Sequence, residues 1–327
     1  MGTTGKWVAV VMGLVVAGAL TPRLRGQAVG PPPLKLGLTS LVPEAVIEVA
    51  GDRLAVTSDE VWVSNRAAGT LTRIDPQTYA VGKPLAMGEG TEPCLSLLPA
   101  FKSLWIPLCG SPGLARLETA AGKPPVVISL GVYRAGPVVT GTSSIWMITD
   151  PDGTLSRLDP DANGVVAEVT VPPGAGAVAF GHDAVWVTSS TRNVVTRVNG
   201  HTNVVLETIK VGPAPSSVAV GAGAVWVLNG GDGSVSRIDP KSNKVVETIK
   251  TGVPQRGGMI LVGEGSVWVS APGAPLTRID PDANLVRQQF SGTGGGVMAI
   301  GLNSLWLGPT PSIIWRLDPR RIEATRK

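Results

Sequence analysis

The sequence predicts an all-β chain: a seven-bladed β-propeller with four antiparallel strands per blade, its ring closed by a three-plus-one last blade. Three observations predict it. Trp62, Trp105, Trp146, Trp186, Trp226, Trp268 and Trp306 recur at steps of 43, 41, 40, 40, 42 and 38 residues. An arginine follows each of them (Arg73, Arg116, Arg157, Arg197, Arg237, Arg278 and Arg316), 11 residues on in the first five repeats and 10 in the last two. Each repeat also holds short β-rich runs separated by turn residues, the pattern of a propeller blade.

The clearest copy lies between Ser216 and Gly252. Four runs, Ser217–Val220, Val225–Asn229, Ser234–Asp239 and Val245–Lys250, are punctuated by Gly-Ala-Gly, Gly-Asp-Gly and Pro-Lys-Ser-Asn. Such turn signals between β-rich runs mark antiparallel strands, here called a to d. A β-solenoid is the main rival, and four punctuated runs per repeat argue against it. The seventh repeat supplies Val297–Ile300, Ser304–Leu307 and Ile313–Asp318 but no fourth run. Ala45–Val49 (AVIEV) resembles a strand d (VVETI) and precedes the first strand a, Leu54–Thr57. The N-terminal segment is therefore expected to complete the last blade, which removes two exposed sheet edges. Residues 43–319 form one domain on this reading, against the two that a length of 327 residues suggests.

The Trp–Arg spacing carries its own geometry. In blade five, Trp226 and Arg237 lie equally far from the centre of the Gly230–Gly233 turn, so they face one another across strands b and c. Opposed residues share a sheet face, and a guanidinium can stack on the indole. Five of the seven arginines open an Arg-(Ile/Leu)-Asp-Pro motif, whose Asp is expected on the same face, paired with the Arg. Seven copies of one pair point to blade-to-blade packing rather than catalysis. The same arithmetic places Cys94 opposite Cys109 across strands a and b, and a disulfide is expected there.

Outside the repeats, Trp7 to Leu20 form a 14-residue apolar run behind Lys6, too short for a membrane-spanning helix. It suits the apolar region of a signal peptide, taken as residues 1–28, with small-residue cleavage sites at Ala19 or Ala28. Residues 29–42, with Pro31-Pro32-Pro33, read as a stiff spacer, and residues 320–327 as a basic tail. The net charge of +4 belongs to these ends: without residues 1–28 the chain holds 25 basic and 24 acidic residues. A body close to neutral argues against nucleic acid as a partner. The expected protein is exported, periplasmic or secreted, with no stable membrane span in the mature chain, and monomeric.

Candidate site residues come from departures between repeats on the face formed by the d–a and b–c loops, the top face, where propeller ligands usually meet. The d–a loops offer Glu89, Glu92, Tyr133, Arg134, Gln255 and Arg256; the b–c loops offer Asn65, Arg66, Asp150, Asp152, Arg192, Asn229 and Asp232. Arg134 and Arg256 occupy matching positions in blades three and six, nearly opposite in a ring of seven, so an anionic ligand between them is conceivable chemistry. The chain's two histidines, His182 and His201, fall in turns on the bottom face of blade four. Without an acidic cluster they make a weak metal site, and no metal or other cofactor is expected. No nucleophile elbow, zinc-protease, P-loop or dinucleotide motif stands in its required context, so no catalytic residue is assigned.

The pattern Val-Ala-Val, Ala-Val-Trp-Val-Leu-Asn, Gly-Ser-Val-Ser-Arg-Ile-Asp-Pro, Val-Val-Glu-Thr-Ile-Lys resembles the exported YVTN-type and streptogramin-lyase-like (virginiamycin B lyase-like) propellers of bacteria. The resemblance covers residues 43–319 and implies fold more than function. Lyase members are similar in blade pattern and use Mg²⁺ with paired histidines and a glutamate to open a cyclic depsipeptide by elimination. That chemistry needs a base near the proton and an electrophile at the carbonyl. His182 and His201 match no such position, so no catalytic residue carries over. The expectation is a non-enzymatic binding or scaffold propeller engaging a peptide, glycan or protein partner on its top face. A Mg²⁺-dependent lyase or hydrolase is the alternative.

Overall fold

The structure, a computed structural model, describes residues 32–109, 113–119, 124–132, 135–254 and 257–325. The expected signal peptide lies outside them. The described residues form seven four-stranded antiparallel sheets in chain order, with one further strand added to the sixth. In blade five the strands are a (Pro215–Gly221), b (Ala224–Asn229), c (Ser234–Asp239) and d (Lys244–Lys250), within one or two residues of the runs read from sequence. Strand b is buried throughout in four blades, and its Trp is 0–6% exposed in all seven. Each core cluster joins strands of neighbouring blades, so apolar burial itself welds the ring. Turn chemistry follows the backbone: Gly233 closes the b–c turn at φ 69°, where a Cβ would lie 2.3 Å from the Val253 carbonyl oxygen.

Closure is three-plus-one. β2 (Ala45–Glu48) pairs antiparallel with Ile313–Leu317, the strand c of blade seven, in register Ala45 to Arg316 and Glu48 to Ile313.

Two end segments differ from expectation. The stretch taken as a spacer contains β1 (Leu34–Gly37), which pairs parallel to strand d of blade six (Leu285–Ser291), followed by a 3-10 turn at Leu38–Ser40. Leu38 and Leu41 are buried. The prolines end at Pro33, and the edge of blade six offers unpaired backbone groups to the extended leucine-rich chain that follows. The basic tail likewise contains a helix, α1 (Pro319–Ala324). Asp318 caps it, accepting the Arg320 N–H at 2.9 Å, with Pro319 in the first turn. Ile322 is 2% exposed against Leu38, Leu41, Trp268 and Leu317, so an apolar anchor inside the basic run decides its conformation. The folded unit therefore extends beyond residues 43–319 at both ends.

All seven Trp–Arg pairs are in register across strands b and c. Guanidinium stacks on indole in five of them, 4.7–5.9 Å from the ring centroid. The expected partnership of Arg with the Asp two residues on is not formed. Asp75, Asp159, Asp239 and Asp280 instead accept backbone N–H groups of their own c–d turns at 2.8–3.1 Å. A donor two or three residues ahead lies closer to the carboxylate than an arginine whose head leaves the blade.

That head crosses to the next blade. Arg116 donates to Pro160 O and Asn163 Oδ1, Arg197 to Pro240 O and Asn243 Oδ1, and Arg237 to Pro281 O and Asn284 Oδ1, at 2.7–3.0 Å. Arg157 reaches His201 O and Asn203 Oδ1 in the same way, at 3.2 and 3.3 Å. Arg316 reaches Pro76 O and the Tyr79 hydroxyl, stapling blade seven to blade one across the closure. Blade seven has no c–d turn, because its strand d comes from the other end of the chain. Arg278 therefore meets α1 instead, with Glu323 Oε1 at 3.0 Å, while Gln288 Nε2 donates to Ile322 O at 2.9 Å.

Candidate functional site at the channel mouth

The top face begins with the first residues of the innermost strands. The position nine residues before each Trp is Arg53, Ser96, Pro137, Ala177, Ser217, Met259 and Val297 in blades one to seven. In register it opposes the second residue after Trp, as Arg53 opposes Ser64 and Ser217 opposes Leu228. Its side chain reaches the next blade: Ser96 Oγ accepts the Val138 N–H at 3.5 Å, and Ser217 Oγ accepts the Ile260 N–H at 3.1 Å. Arg53 is the one charged residue of the seven. It donates from Nε to the Leu95 carbonyl of blade two at 2.8 Å, and from Nη1 to the Asp52 carbonyl.

Leu95 is itself unusual. Its φ is 64°, and the Ser96 N–H donates to Cys94 O at 2.7 Å, which makes it the centre of a γ-turn of positive φ. That turn is rare and strained, and a branched apolar residue there is rarer still. The Cys94–Cys109 disulfide, formed as the spacing predicts with Cα atoms 5.6 Å apart, holds one side of it. Leu95 lines a cavity of about 180 Å³ with Pro137, Ile148, Pro151, Ala175 and Gly176. The cavity is an apolar notch at the top of blades two to four.

Of the residues expected from sequence, Tyr133, Arg134, Gln255 and Arg256 lie outside the described residues. Arg66 and Glu92 are brought together as an exposed ion pair, Nε to Oε2 3.1 Å, between blades one and two. Arg192 is exposed on the b–c turn of blade four, its backbone N–H on Ser189 Oγ. Asn65, Asp150 and Asp232 accept backbone N–H groups within their own turns, and Asn229 is fully buried on Ser234 and Ser236. Asn65, Asp150 and the exposed Asp232 thus shape their own turns, and Asn229 belongs to the core. Arg53 and Leu95 escaped the sequence reading. Arg53 was detectable, because an arginine stands where other blades carry small or apolar residues at one fixed offset. Leu95 was not, because positive φ at a leucine leaves no mark in sequence.

His182 and His201 stand on the a–b and c–d turns of blade four, opposite the notch, with His201 Nε2 3.8 Å from Asp183 Oδ1. Their carbonyls serve the arginine staples, His201 to Arg157 and His182 to Arg197. Among the described residues no three His, Cys, Asp or Glu cluster to hold a metal ion. Among the described residues, neither histidine stands with a second imidazole and a glutamate in the way the Mg²⁺ centre implied by the resemblance requires. Among the described residues, too, no helix is long and apolar enough to cross a membrane.

Comparison with solved structures decides what the ring resembles. It has the fold of the streptogramin B lyases. A streptogramin B lyase structure superposes with a TM-score of 0.70 over 84% of this chain and 95% of the other, at 18% identity. The catalytically inactive virginiamycin B lyase from Staphylococcus aureus with quinupristin superposes equally, TM-score 0.70, over 83% and 98%, at 15% identity. At such identities the likeness to the lyases is one of fold. No protein-family model matches the chain, and no curated protein does.

Proposed function

We propose that this protein is a non-enzymatic, exported, monomeric propeller that binds a peptide, glycan or protein partner on its top face. The apolar notch at the mouth of blades two to four carries this reading. A concave apolar patch with few polar groups around it is the usual form of a binding site. Tyr133, Arg134, Gln255 and Arg256 belong to the d–a loops of blades three and six, and we assign them, with Arg66, Glu92 and Arg192, to the rim that contacts the partner. The disulfide supports an oxidising compartment.

The shared fold favours one second reading, a Mg²⁺-dependent lyase acting on a cyclic depsipeptide. Against it, both histidines of the chain stand on the face away from the notch, so no imidazole is placed there as a base. Incubation of the folded protein with quinupristin and Mg²⁺, with and without EDTA, separates the two. Intact quinupristin under both conditions is expected; EDTA-sensitive ring opening overturns the non-enzymatic reading.

A further inference from the structure

The notch and the cation beside it specify a ligand class. We propose that the channel mouth captures the C-terminus of a peptide ending in an apolar residue, the carboxylate on Arg53 and the last side chain in the notch. This inference rests on the top-face binding reading and narrows it.

The argument starts from the charge. A guanidinium has five N–H donors, and the described contacts of Arg53 are two main-chain carbonyls, neither of which neutralises it. No carboxylate pairs with Arg53 among the described residues. The acids nearest in the chain are engaged elsewhere: Asp52 accepts Ser64 Oγ and the Arg66 N–H, and Glu92 holds the Arg66 side chain. The Leu95 and Asp52 carbonyls hold the arginine in place, which reduces the entropy lost on binding. Arg offers a carboxylate a planar, two-pronged donor set.

The second part is the notch. The Leu95 carbonyl holds Arg53, and Leu95 also lines the cavity, so cation and apolar wall meet at one residue. That residue sits in the strained γ-turn described above, fixed by a disulfide on one side and by the Arg53 bond on its carbonyl. Strained backbone that its surroundings hold in place clusters at ligand sites. Pro137, Ile148 and Ala175 supply the remaining apolar wall, and at about 180 Å³ the volume suits one side chain rather than a long chain. An apolar side chain beside a carboxylate is the chemistry of a peptide's last residue.

The test is fluorescence anisotropy on the full chain with three fluorescein-labelled hexapeptides: one ending in leucine with a free carboxylate, its C-terminal amide, and one ending in glutamate. The leucine acid is expected to bind at least tenfold more tightly than either of the others. Arg53→Gln should bring acid and amide to equal affinity, and Arg53→Lys should restore part of the difference. Gly176→Ile fills the notch from a position where a new Cβ meets nothing closer than 3.9 Å, so folding is kept. It should weaken both leucine peptides tenfold or more with an unchanged melting temperature. Equal binding of acid and amide by the unmodified protein overturns the carboxylate assignment while leaving a top-face partner in place. Unweakened binding by Gly176→Ile overturns the notch, and no binding of any peptide by the folded protein overturns the inference outright. Ring opening of quinupristin, by contrast, bears on the non-enzymatic reading alone.

Discussion

At the scale of the residue, the repeated arginine acts in two directions in five of the seven blades. Its stem and guanidinium cover the indole of its own blade, and its terminal N–H groups hold the next blade's c–d turn. Arg237→Ala removes the stack on Trp226 and both bonds to Pro281 and Asn284. It is expected to cost about 1–3 kcal/mol in urea unfolding, with Arg237→Lys recovering only part. The aspartates of the c–d turns, and Asp318 at the cap of α1, titrate with the fold. Asp75, Asp159, Asp239 and Asp318 lie below the ordinary carboxyl value of 3.8, chiefly because backbone N–H groups of Thr78, Ala162, Lys241 and Arg320 hold the charged form. For Asp280, burial pushes upward, but the Ala283 N–H and Arg287 outweigh it. Values depressed in the folded state give stability that is complete above the unfolded value and lost as pH falls through the folded ones. The melting temperature is therefore expected to be level above about pH 5 and to fall below about pH 4. A flat profile down to pH 2.5 would show that these turns contribute nothing.

At the scale of the element, the two chain ends do work that no blade repeat encodes. Helix α1 takes the place of the missing c–d turn of blade seven, giving Arg278 its partner and Gln288 its acceptor. Removing residues 319–327 strands a 5%-exposed arginine without its carboxylate and uncovers the apolar groups under Ile322. A loss of about 3–5 kcal/mol is expected by denaturant unfolding, and Arg278→Met in the truncated chain should return part of it. The disulfide acts on the strand a–b hairpin of blade two. Replacing both Cys94 and Cys109 by Ser is expected to cost about 3 kcal/mol for a closed loop of this length. It should also loosen the γ-turn at Leu95, seen as faster exchange of the Ser96 amide hydrogen.

At the scale of the molecule, much was legible beforehand because a propeller repeats one short-range pattern. Trp and Arg at a fixed offset give the strand b–c register directly, and all seven pairs form as that offset requires. Ala45–Glu48 was recognisable as a displaced strand d because its sequence matches the others. The end segments were not, since Pro-rich and basic compositions describe a chain without neighbours. Leu34–Gly37 becomes a strand only because blade six has a free edge, and Ile322 anchors a helix only because blades six and seven leave an apolar seat. The candidate site was legible in part: loops that depart from the repeat pointed to the top face, whereas the carboxylate site proposed above centres on Arg53 and Leu95.

What the sequence determined by itself is therefore the ring: seven blades, their register, their closure and the disulfide, all set by periodic or locally opposed residues. The tertiary structure alone decided where the end segments dock, which partner each arginine head takes, and that a leucine of positive φ, an arginine with no carboxylate partner among the described residues and an apolar notch meet at one mouth. Those features depend on contacts between blades some 40 residues apart. A hairpin's alternation is written in its own residues, whereas the surface left between neighbouring blades is a property of their packing.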